Sequence, residues 1–376
     1  MKIATVVGTR PQFIKAMMVS KAVRKNHDEI LIHTGQHCDA NMSQVFFSGR
    51  GCPAPDYYID AGLAAPGRQL AKMFDGLKAV FEWEKPDVVV VYGDSRSTLA
   101  GALAASKTGI PLAHVEAGLR CGKRAMPEEF IRELTDYLSA ILFCPSEIAV
   151  RNLNKEGIIN GNGAASGKET DTVRFRGSII VNVGDVMYDA LQECLNNGNC
   201  SPPSAAGRLP EPGEYLLATV HRAENADKKE RLSVILESLV TLGEKVVFPV
   251  HPRTMKRISE FNLGGYLAHP NMVVIDPAGY DEMIWLCKNA RKIITDSGGV
   301  QKEAFYLRVP CITLREETEW TETVERGCNV LVGCDRRLIL EAVGASARGD
   351  WSGSPYGQGN ASWLISRLLE EYFCPR

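Results

Sequence analysis

Short apolar runs alternate with stretches of helical periodicity along the first half of the chain. The runs have the continuous apolar character of strands buried on both faces of a sheet. In the first periodic stretch, Ile14, Met17 and Met18 share one face of a helix. The predicted strands are 2–7, 30–33, 88–92 and 112–115. The predicted helices are 11–25, 68–84, 96–108 and 127–139.

A second alternating series of strands and helices follows a break at 196–213. This segment is rich in Asn, Pro, Gly and Ser and has no apolar periodicity, so we interpret it as a linker. Strands and helices in alternation predict parallel sheets with right-handed crossovers. With 376 residues, two domains are expected. We predict Rossmann-like domains at 1–195 and 214–376, with the last helix able to pack back on the first domain. The second series of predicted strands is 215–220, 245–250, 273–275, 292–295 and 311–314.

One long polar, Gly-rich segment, 158–177, interrupts the first domain between a helix and a strand. We interpret it as a surface insertion. The functional alternative is a lid or an oligomer contact, because long loops sometimes serve as lids.

Charge and cysteine content exclude several functional classes. The formal net charge of -2 gives no reason to expect nucleic acid or a membrane surface as a partner. No run approaches the roughly 20 apolar residues of a membrane helix, and the N-terminus lacks the features of a signal peptide. Eleven scattered cysteines without a C-x-x-C pair argue against a disulfide framework and against zinc. We therefore expect a cytoplasmic protein without metal or cofactor, in which Cys144, Cys287 and Cys311 are core residues.

Two turns could bind phosphate. Gly8, Thr9 and Arg10 follow the first predicted strand and open a helix, so backbone N–H groups and the Arg10 guanidinium could bind an anion, with Lys15 one turn further along. A solvated turn with a surface arginine is the alternative.

The turn 296–299, Asp-Ser-Gly-Gly, is a stronger candidate. Gly298 and Gly299 would let backbone approach a diphosphate at a helix N-terminus, and Glu303 could accept the ribose hydroxyls. The alternative is a helix that is simply capped by Ser297.

Carboxylates and histidines follow several other predicted strands, where open α/β sheets bind ligands. Asp94 and Glu116 follow strands of the first domain. Glu128 and Glu129 lie in the run MPEEFIRELTD, in which Arg132 lies one turn on. Capping alone could explain acids at that helix start. Together with Arg10 and Lys15, these acids and Arg132 predict a mixed-charge crevice suited to proton transfer.

In the second domain, His221 and His251 each follow a strand. A single such histidine could be a satisfied core residue. Two histidines at equivalent strand ends favour a phosphate or sugar site.

These motifs together resemble the non-hydrolysing UDP-N-acetylglucosamine 2-epimerase family. The similarity extends to TEW at 318–320 and to YGQGNAS near the end, and so covers almost the whole chain. The motifs occur in family order from residue 7 to residue 304: VGTRPQFIK, TGQH, YGDSRSTLAG, HVEAGLR, MPEEFIR, HRAEN, PVHPRT and TDSGGVQKEA.

The resemblance implies a GT-B fold, in which two Rossmann-like, doubly wound domains enclose the active site in the cleft between them. It implies inversion of carbon 2 of a UDP-2-acetamido sugar, by loss of UDP and its re-addition to a 2-acetamidoglucal, and a homodimer. The acid/base carboxylates would be Asp94, Glu116 and Glu128. The groups that support the diphosphate or sugar would be Arg10, Lys15, Arg132 and His221, and UDP would be held by His251, Ser297, Gly298, Gly299 and Glu303.

Two departures concern the substrate. Ile131 stands where the family usually carries Asn, so a polar contact near the catalytic helix is expected to be missing. Other features resemble a sub-branch that acts on UDP-2,3-diacetamido-2,3-dideoxyglucuronic acid. They are Gln12, the segments DANMS, VGDVMYDA and GYDEMIWL, and TEW. Three further functions stay open at this point: a GT-B glycosyltransferase, a hydrolysing epimerase and a UDP-sugar-binding protein without turnover.

Overall fold

A computed structural model describes residues 1–36, 53–62, 65–123, 126–159, 178–196, 198, 200–346 and 348–374. The segment DANMS and most of the 158–177 insertion lie outside these residues. The chain divides into two compact units, which are described separately: unit 1 comprises Met1–Ala190 and Ser354–Arg376, and unit 2 comprises Leu191–Gly353.

Unit 1 is built on a seven-stranded parallel sheet in the order β3-β2-β1-β4-β5-β6-β7. Its strands are β1 (Lys2–Val7), β2 (Asp28–His33), β3 (Tyr57–Tyr58), β4 (Val88–Tyr92), β5 (Leu112–Val115), β6 (Ile141–Cys144) and β7 (Ile179–Asn182). Its helices are α1 (Arg10–Val23), α2 (Pro66–Glu84), α3 (Arg96–Thr108), α4 (Pro127–Leu138), α5 (Glu147–Lys155) and the first part of α6 (Val186–Asn196).

The core of unit 1 follows from the continuous apolar runs. β4 is buried along its whole length because helices cover both faces of a parallel sheet. Val6 and Val91 pack with Met73 and Phe81 of α2 and with the alanines of α3. Small side chains on α3 therefore let this helix lie close to β4, where a Cβ at Gly101 would be 2.8 Å from Val91 Cγ1.

Unit 2 contains a six-stranded parallel sheet in the order β10-β9-β8-β11-β12-β13. Its strands are β8 (Tyr215–Thr219), β9 (Lys245–Pro249), β10 (Met272–Ile275), β11 (Lys292–Thr295), β12 (Cys311–Thr313) and β13 (Asn329–Leu331). Its helices are α7 (Ala223–Ala226), α8 (Lys229–Thr241), α9 (Pro252–Glu260), α10 (Gly264–Leu267), α11 (Tyr280–Asn289), α12 (Gly298–Tyr306), α13 (Thr321–Glu325) and α14 (Arg336–Gly344). Alternate residues of β8 face two clusters: Leu216 packs with α8, and Tyr215 packs with α11.

The last helix, α15 (Ala361–Phe373), belongs to unit 1 and contacts α1. Unit 2 begins at Leu191, inside α6, and the predicted linker contains a 3₁₀ turn at Ala206–Arg208. The domain boundaries 195 and 214 remain a prediction.

Both sheets are Rossmann-like, as predicted. Chain order reverses between β1 and β4 in unit 1 and between β8 and β11 in unit 2. Such reversals leave a crevice at the carboxyl ends of the strands, where α/β proteins bind ligands. None of the helices in the described ranges has the length and apolar content needed to cross a lipid bilayer. Cys144, Cys287 and Cys311 are buried in the core, as expected.

Candidate functional site

The turn after β1 is organised by Gln12. The Gln12 carboxamide oxygen accepts the N–H groups of Gly8 and Thr9 at 2.9 and 3.1 Å, and its Nε2 donates to the Tyr92 carbonyl at 2.7 Å. These two N–H groups are thus hydrogen-bonded inside the turn. What the turn offers an anion is Arg10, the half-buried first residue of α1.

The carboxyl ends of β4 and β5 bring two carboxylates to two cations. Lys15 Nζ forms an ion pair with Glu116 Oε2, and both side chains are nearly buried. Arg132 Nη1 donates to Asp94 Oδ2 at 2.6 Å. A Cβ on Gly93 would lie 3.2 Å from Glu116 Oε2 and 3.5 Å from Lys15 Nζ, so the two pairs meet around the β4 turn.

Backbone strain marks this cluster. Glu116 has a φ of 74°, in the left-handed region that side chains other than glycine rarely adopt. Such a conformation costs about 1–3 kcal/mol and persists where the surrounding structure imposes it, often at a functional site. The Glu116 N–H donates to the Phe143 carbonyl at 3.0 Å, which fixes the residue to the neighbouring strand β6.

Glu128 and Glu129, at the start of α4, have different surroundings. Glu128 is exposed and has no hydrogen bond or ion pair with another described residue. Glu129 is buried, accepts the N–H groups of Cys121 and Gly122, and pairs with Arg132 Nη2 at 2.6 Å. Burial alone would raise the pKa of Glu129, but the Arg132 guanidinium and these N–H groups lower it. Glu129 therefore orients Arg132, whereas Glu128 is available to a ligand.

Ile131 points into the core. Its side chain is buried on α4, where Thr135 and Asp136 are buried as well. At this position the chain therefore has a buried apolar side chain.

In unit 2, Asp296 orients His221. The His221 N–H and the Arg222 N–H donate to this carboxylate at 3.0 Å each, and His221 Nδ1 lies 3.1 Å from Oδ1. Burial opposes ionisation of Asp296, yet the hydrogen bond and charge of His221 lower its pKa. The His221 side chain remains 39% exposed, so it is not a satisfied core histidine. Its ring centroid is 5.6 Å from that of His251.

The start of α12 differs from the start of α1. Ser297 caps the helix by accepting the Val300 N–H at 3.4 Å. The N–H groups of Gly298 and Gly299 donate to no other described residue, so they are available to a phosphate. Glu303 is buried in the same helix.

The predicted site residues thus form two clusters, one at each sheet reversal. Unit 1 holds Lys15 with Glu116 and Asp94 with Arg132, and places Arg10 and Glu128 at the starts of α1 and α4. Unit 2 brings His221 and His251 together and places Ser297, Gly298, Gly299 and Glu303 on α12. Among the residues that the structure describes, no group of three or more His, Cys, Asp or Glu side chains could hold a metal ion.

Three residues that organise these clusters were not predicted as site residues: Gln12, Glu129 and Asp296. All three lie in the family motifs, within two residues of predicted site residues. No pattern in the sequence separates a residue that contacts ligand from a neighbour that orients it, because the distinction depends on tertiary partners.

The chain is similar to members of a known protein family over almost its whole length. Residues 21–370 match the family model described as UDP-N-acetylglucosamine 2-epimerase. The chain is 46% identical to a UDP-N-acetylglucosamine 2-epimerase homolog of Methanococcus maripaludis, over 98% of this chain and 99% of the relative. It is 45% identical to the UDP-2,3-diacetamido-2,3-dideoxy-D-glucuronate 2-epimerase of Pseudomonas aeruginosa, with the same coverage.

Among solved structures, the chain is similar to the UDP-GlcNAc 2-epimerase of Methanocaldococcus jannaschii in complex with UDP-GlcNAc and UDP. The TM-score is 0.88 at 42% identity, over 99% of this chain and 100% of that one. The GT-B fold class, with two Rossmann-like domains, is thereby confirmed.

Proposed function

Because this chain belongs to the UDP-N-acetylglucosamine 2-epimerase family, a family of carbohydrate epimerases, we propose that it inverts carbon 2 of a UDP-2-acetamido sugar. The observation that carries the proposal is the pairing of Asp94 with Arg132 and of Glu116 with Lys15 around one turn at the sheet reversal of unit 1. Two carboxylates with separate cations can differ in proton affinity, as removal and delivery of a proton require.

The reaction begins with a weakly acidic C–H bond. A carboxylate removes the proton from carbon 2 as the bond between carbon 1 and the diphosphate oxygen breaks, and the electron pair of that bond leaves with UDP. A 2-acetamidoglucal and UDP remain. UDP then adds back to carbon 1 while an acid delivers a proton to the opposite face of carbon 2. These steps are proton transfers and heterolytic cleavage and formation of one C–O bond, so the proposed route requires no external oxidant or reductant.

We assign the proton transfers to Asp94, Glu116 and Glu128. Glu128 suits this role because it is exposed at the start of α4, on the same helix as Arg132. General acid–base catalysis typically contributes about 10²–10⁴-fold to a rate. Lys15 and Arg132 would then balance negative charge as protons move between carboxylates and sugar.

We assign UDP to unit 2, with Arg10 of unit 1 as a further cation for the diphosphate. The Gly298 and Gly299 N–H groups would bind phosphate oxygens and Glu303 the ribose. His221, His251 and Ser297 would complete the pocket. Charge that develops on departing UDP would meet donors already in place, which is the efficient form of electrostatic catalysis.

Two sugars are candidate substrates. The relatives named for UDP-N-acetylglucosamine and for the diacetamido uronic acid are 46% and 45% identical to this chain, so identity does not separate them. Gln12 favours the second sugar by the sequence resemblance, and its five hydrogen bonds show that it organises the turn beside Arg10.

Proton NMR in deuterated water, with UDP-N-acetylglucosamine and the uronic analogue in parallel reactions, tests the proposal. We expect one of them to equilibrate with its 2-epimer and to gain deuterium at carbon 2. Asp94→Asn and Glu128→Gln should slow exchange at least about 100-fold. Full exchange in both variants would require withdrawal of the acid/base assignment.

The same experiment separates the competing functions. Accumulation of free sugar and UDP would indicate a hydrolysing enzyme. Sugar transfer to an added acceptor without exchange would indicate a glycosyltransferase. Tight UDP binding without turnover of either sugar would indicate a binding protein.

We also propose a homodimer in the cytoplasm. The dimer is supported by the family resemblance alone, and light scattering of the purified chain tests it. The location is supported by the reduced, buried thiols Cys144, Cys287 and Cys311, which suit a reducing compartment, and cell fractionation tests it.

A further inference from the structure

His114 is a fully buried imidazole in the candidate site, and the proposed reaction does not use it. It lies in β5, two residues before Glu116, and none of its surface is exposed. Its Nε2 lies 2.8 Å from the Gly93 carbonyl oxygen and its Nδ1 lies 2.6 Å from Asp136 Oδ1. Both ring nitrogens therefore face acceptors.

The first contact fixes the turn that carries Asp94. β5 holds Gly93 by both backbone groups, since the Gly93 N–H donates to the Val115 carbonyl at 2.9 Å and its carbonyl accepts from His114. Gly93 has a φ of 61°, and a Cβ built on it would lie 3.2 Å from Glu116 Oε2 and 3.5 Å from Lys15 Nζ, so rotation of this peptide would disturb both ion pairs of the cluster.

The hydrogen bond between His114 and Asp136 fixes the other two segments, which are helix α4 and the loop after Glu116. Asp136 lies on α4, one turn beyond Arg132, and is fully buried. Its Oδ2 accepts the Gly118 N–H at 3.1 Å and pairs with Arg120 Nη1 at 2.8 Å. Asp136 thus ties the helix that carries Glu128 to the loop that follows Glu116.

The hydrogen-bond partners of His114 indicate which of its ring nitrogens carry a proton. A carbonyl oxygen only accepts, so Nε2 must carry a proton. Asp136 already accepts from Gly118 and Arg120, and the His114 ring and Arg120 lower its pKa although burial opposes this. An ionised carboxylate also only accepts, so Nδ1 donates to it. We therefore assign both ring nitrogens of His114 as donors, one to the Gly93 carbonyl and one to Asp136.

We infer that His114 and Asp136 are positioning residues for epimerisation. One buried pair holds the three segments that carry Asp94, Glu116 and Glu128 in fixed relation, through the Gly93 carbonyl, the Gly118 N–H and helix α4. The catalytic part of this inference rests on the proposed function. Both side chains are fully buried, so the pair should affect the rate of proton transfer more than substrate binding.

Two substitutions separate the two hydrogen bonds. The amide nitrogen of a glutamine can reach the position of Nε2, whereas that of an asparagine reaches only the position of Nδ1. His114→Gln should keep the bond to Gly93 and retain kcat within about 10-fold. His114→Asn should lose that bond and lower kcat about 100-fold, because a misplacement of about 1 Å can cost this much. KM and the UDP dissociation constant should change less than about 3-fold in both.

A purely structural role predicts a different result. Both variants would then lose activity in proportion to their loss of thermal stability, and equal kcat values in the two folded variants would overturn the inference. An increase in KM with unchanged kcat would overturn it as well.

A measurement on the unaltered protein keeps the test independent of variants and of turnover. Nitrogen-15 NMR should show two slowly exchanging ring protons on His114, one on each nitrogen. A ring proton on Nδ1 alone would overturn the inference even if epimerisation is observed. Conversely, the protein could show both ring protons on His114 but catalyse no exchange of the sugar proton with solvent. This result would contradict the proposed function and leave the positioning of Gly93 intact.

Discussion

Gly298 and Gly299 open α12 side by side, but the space around them differs. A Cβ on Gly298 would lie 2.5 Å from Glu319 Oε1 and 3.3 Å from Trp320 Nε1. A Cβ on Gly299 would have Ser297 Oγ, at 3.9 Å, as its nearest neighbour. An alanine at 298 would therefore force the buried Glu319 carboxylate to move, whereas at 299 only a ligand could require glycine.

This difference predicts different effects of two alanine substitutions. Gly298→Ala should lower the free energy of unfolding by about 1–3 kcal/mol, the usual cost of overpacking. Gly299→Ala should leave the unfolding energy equal or up to about 1 kcal/mol higher, since alanine favours helix. It should nevertheless weaken UDP binding at least about 10-fold, because the methyl group occupies the space of a phosphate oxygen. Denaturant unfolding and calorimetric titration with UDP measure both effects; unchanged UDP affinity in Gly299→Ala would contradict the phosphate assignment.

Asp296 should make the stability of unit 2 sensitive to acid. Its pKa is lowered in the folded state, so its contribution is complete above the unfolded value of about 3.9 and is lost as the pH falls through the folded value. Asp296→Asn should cost about 1–3 kcal/mol at pH 7, because it weakens the hydrogen bonds to a buried charge. The gap between the two proteins should narrow between pH 5 and pH 3, measured by urea unfolding. A gap that is constant over this range would show that the charge of Asp296 is not involved.

At the scale of elements, α4 combines a structural face and a functional edge. Its buried side includes Glu129, Arg132 and Asp136, and Glu128 is exposed at its first turn. Neighbouring helical residues point about 100° apart, so two adjacent glutamates can have separate functions.

The matched variants Glu128→Gln and Glu129→Gln should therefore fail in different assays. Glu128→Gln should keep the unfolding energy of the parent protein and lose deuterium exchange. Glu129→Gln should lose about 2 kcal/mol of unfolding energy, because hydrogen bonds to a buried charge weaken. Measurement of the melting temperature and of exchange in both proteins checks the pair. The reverse pattern, a destabilised Glu128→Gln and a stable, inactive Glu129→Gln, would exchange the two assignments.

The same helix shows how far the sequence could predict the site. Periodicity predicted α4 to within one residue of Pro127–Leu138, and the central strands of both sheets were predicted equally well, because long apolar runs and helical stripes are local signals. The family that the motifs predicted is confirmed. The partner of Glu129 could not be predicted, because Cys121 and Gly122 reach it through a loop whose path depends on tertiary packing. The short strands β3, β6, β7 and β13 were missed, since runs of two to four residues carry little periodicity.

At the scale of the whole molecule, unit 1 is formed from both ends of the chain. α15 lies after unit 2 in sequence but contacts α1, and Asp189 accepts the N–H groups of Ala361 and Ser362 at 3.1 and 2.7 Å. Asp189 thus caps the last helix with a side chain from α6. Sequence patterns identify the helix, and only its buried face identifies the unit to which it belongs.

Substitutions on α15 should therefore destabilise unit 1 and spare unit 2, although unit 2 precedes α15 in the chain. Ile365 is fully buried, so Ile365→Ala should cost about 2–5 kcal/mol through lost burial and a cavity. Trp363 is 52% exposed on the same helix, so Trp363→Ala is the matched control and should change stability little. Amide hydrogen exchange should accelerate in β1 and α1 of Ile365→Ala, while β8 and β11 keep their protection and UDP binding to α12 persists. If amide exchange in β8 accelerated to the same extent, the two units would unfold together. Destabilising one unit could then not test the separate assignment of proton transfer to unit 1 and of UDP binding to unit 2.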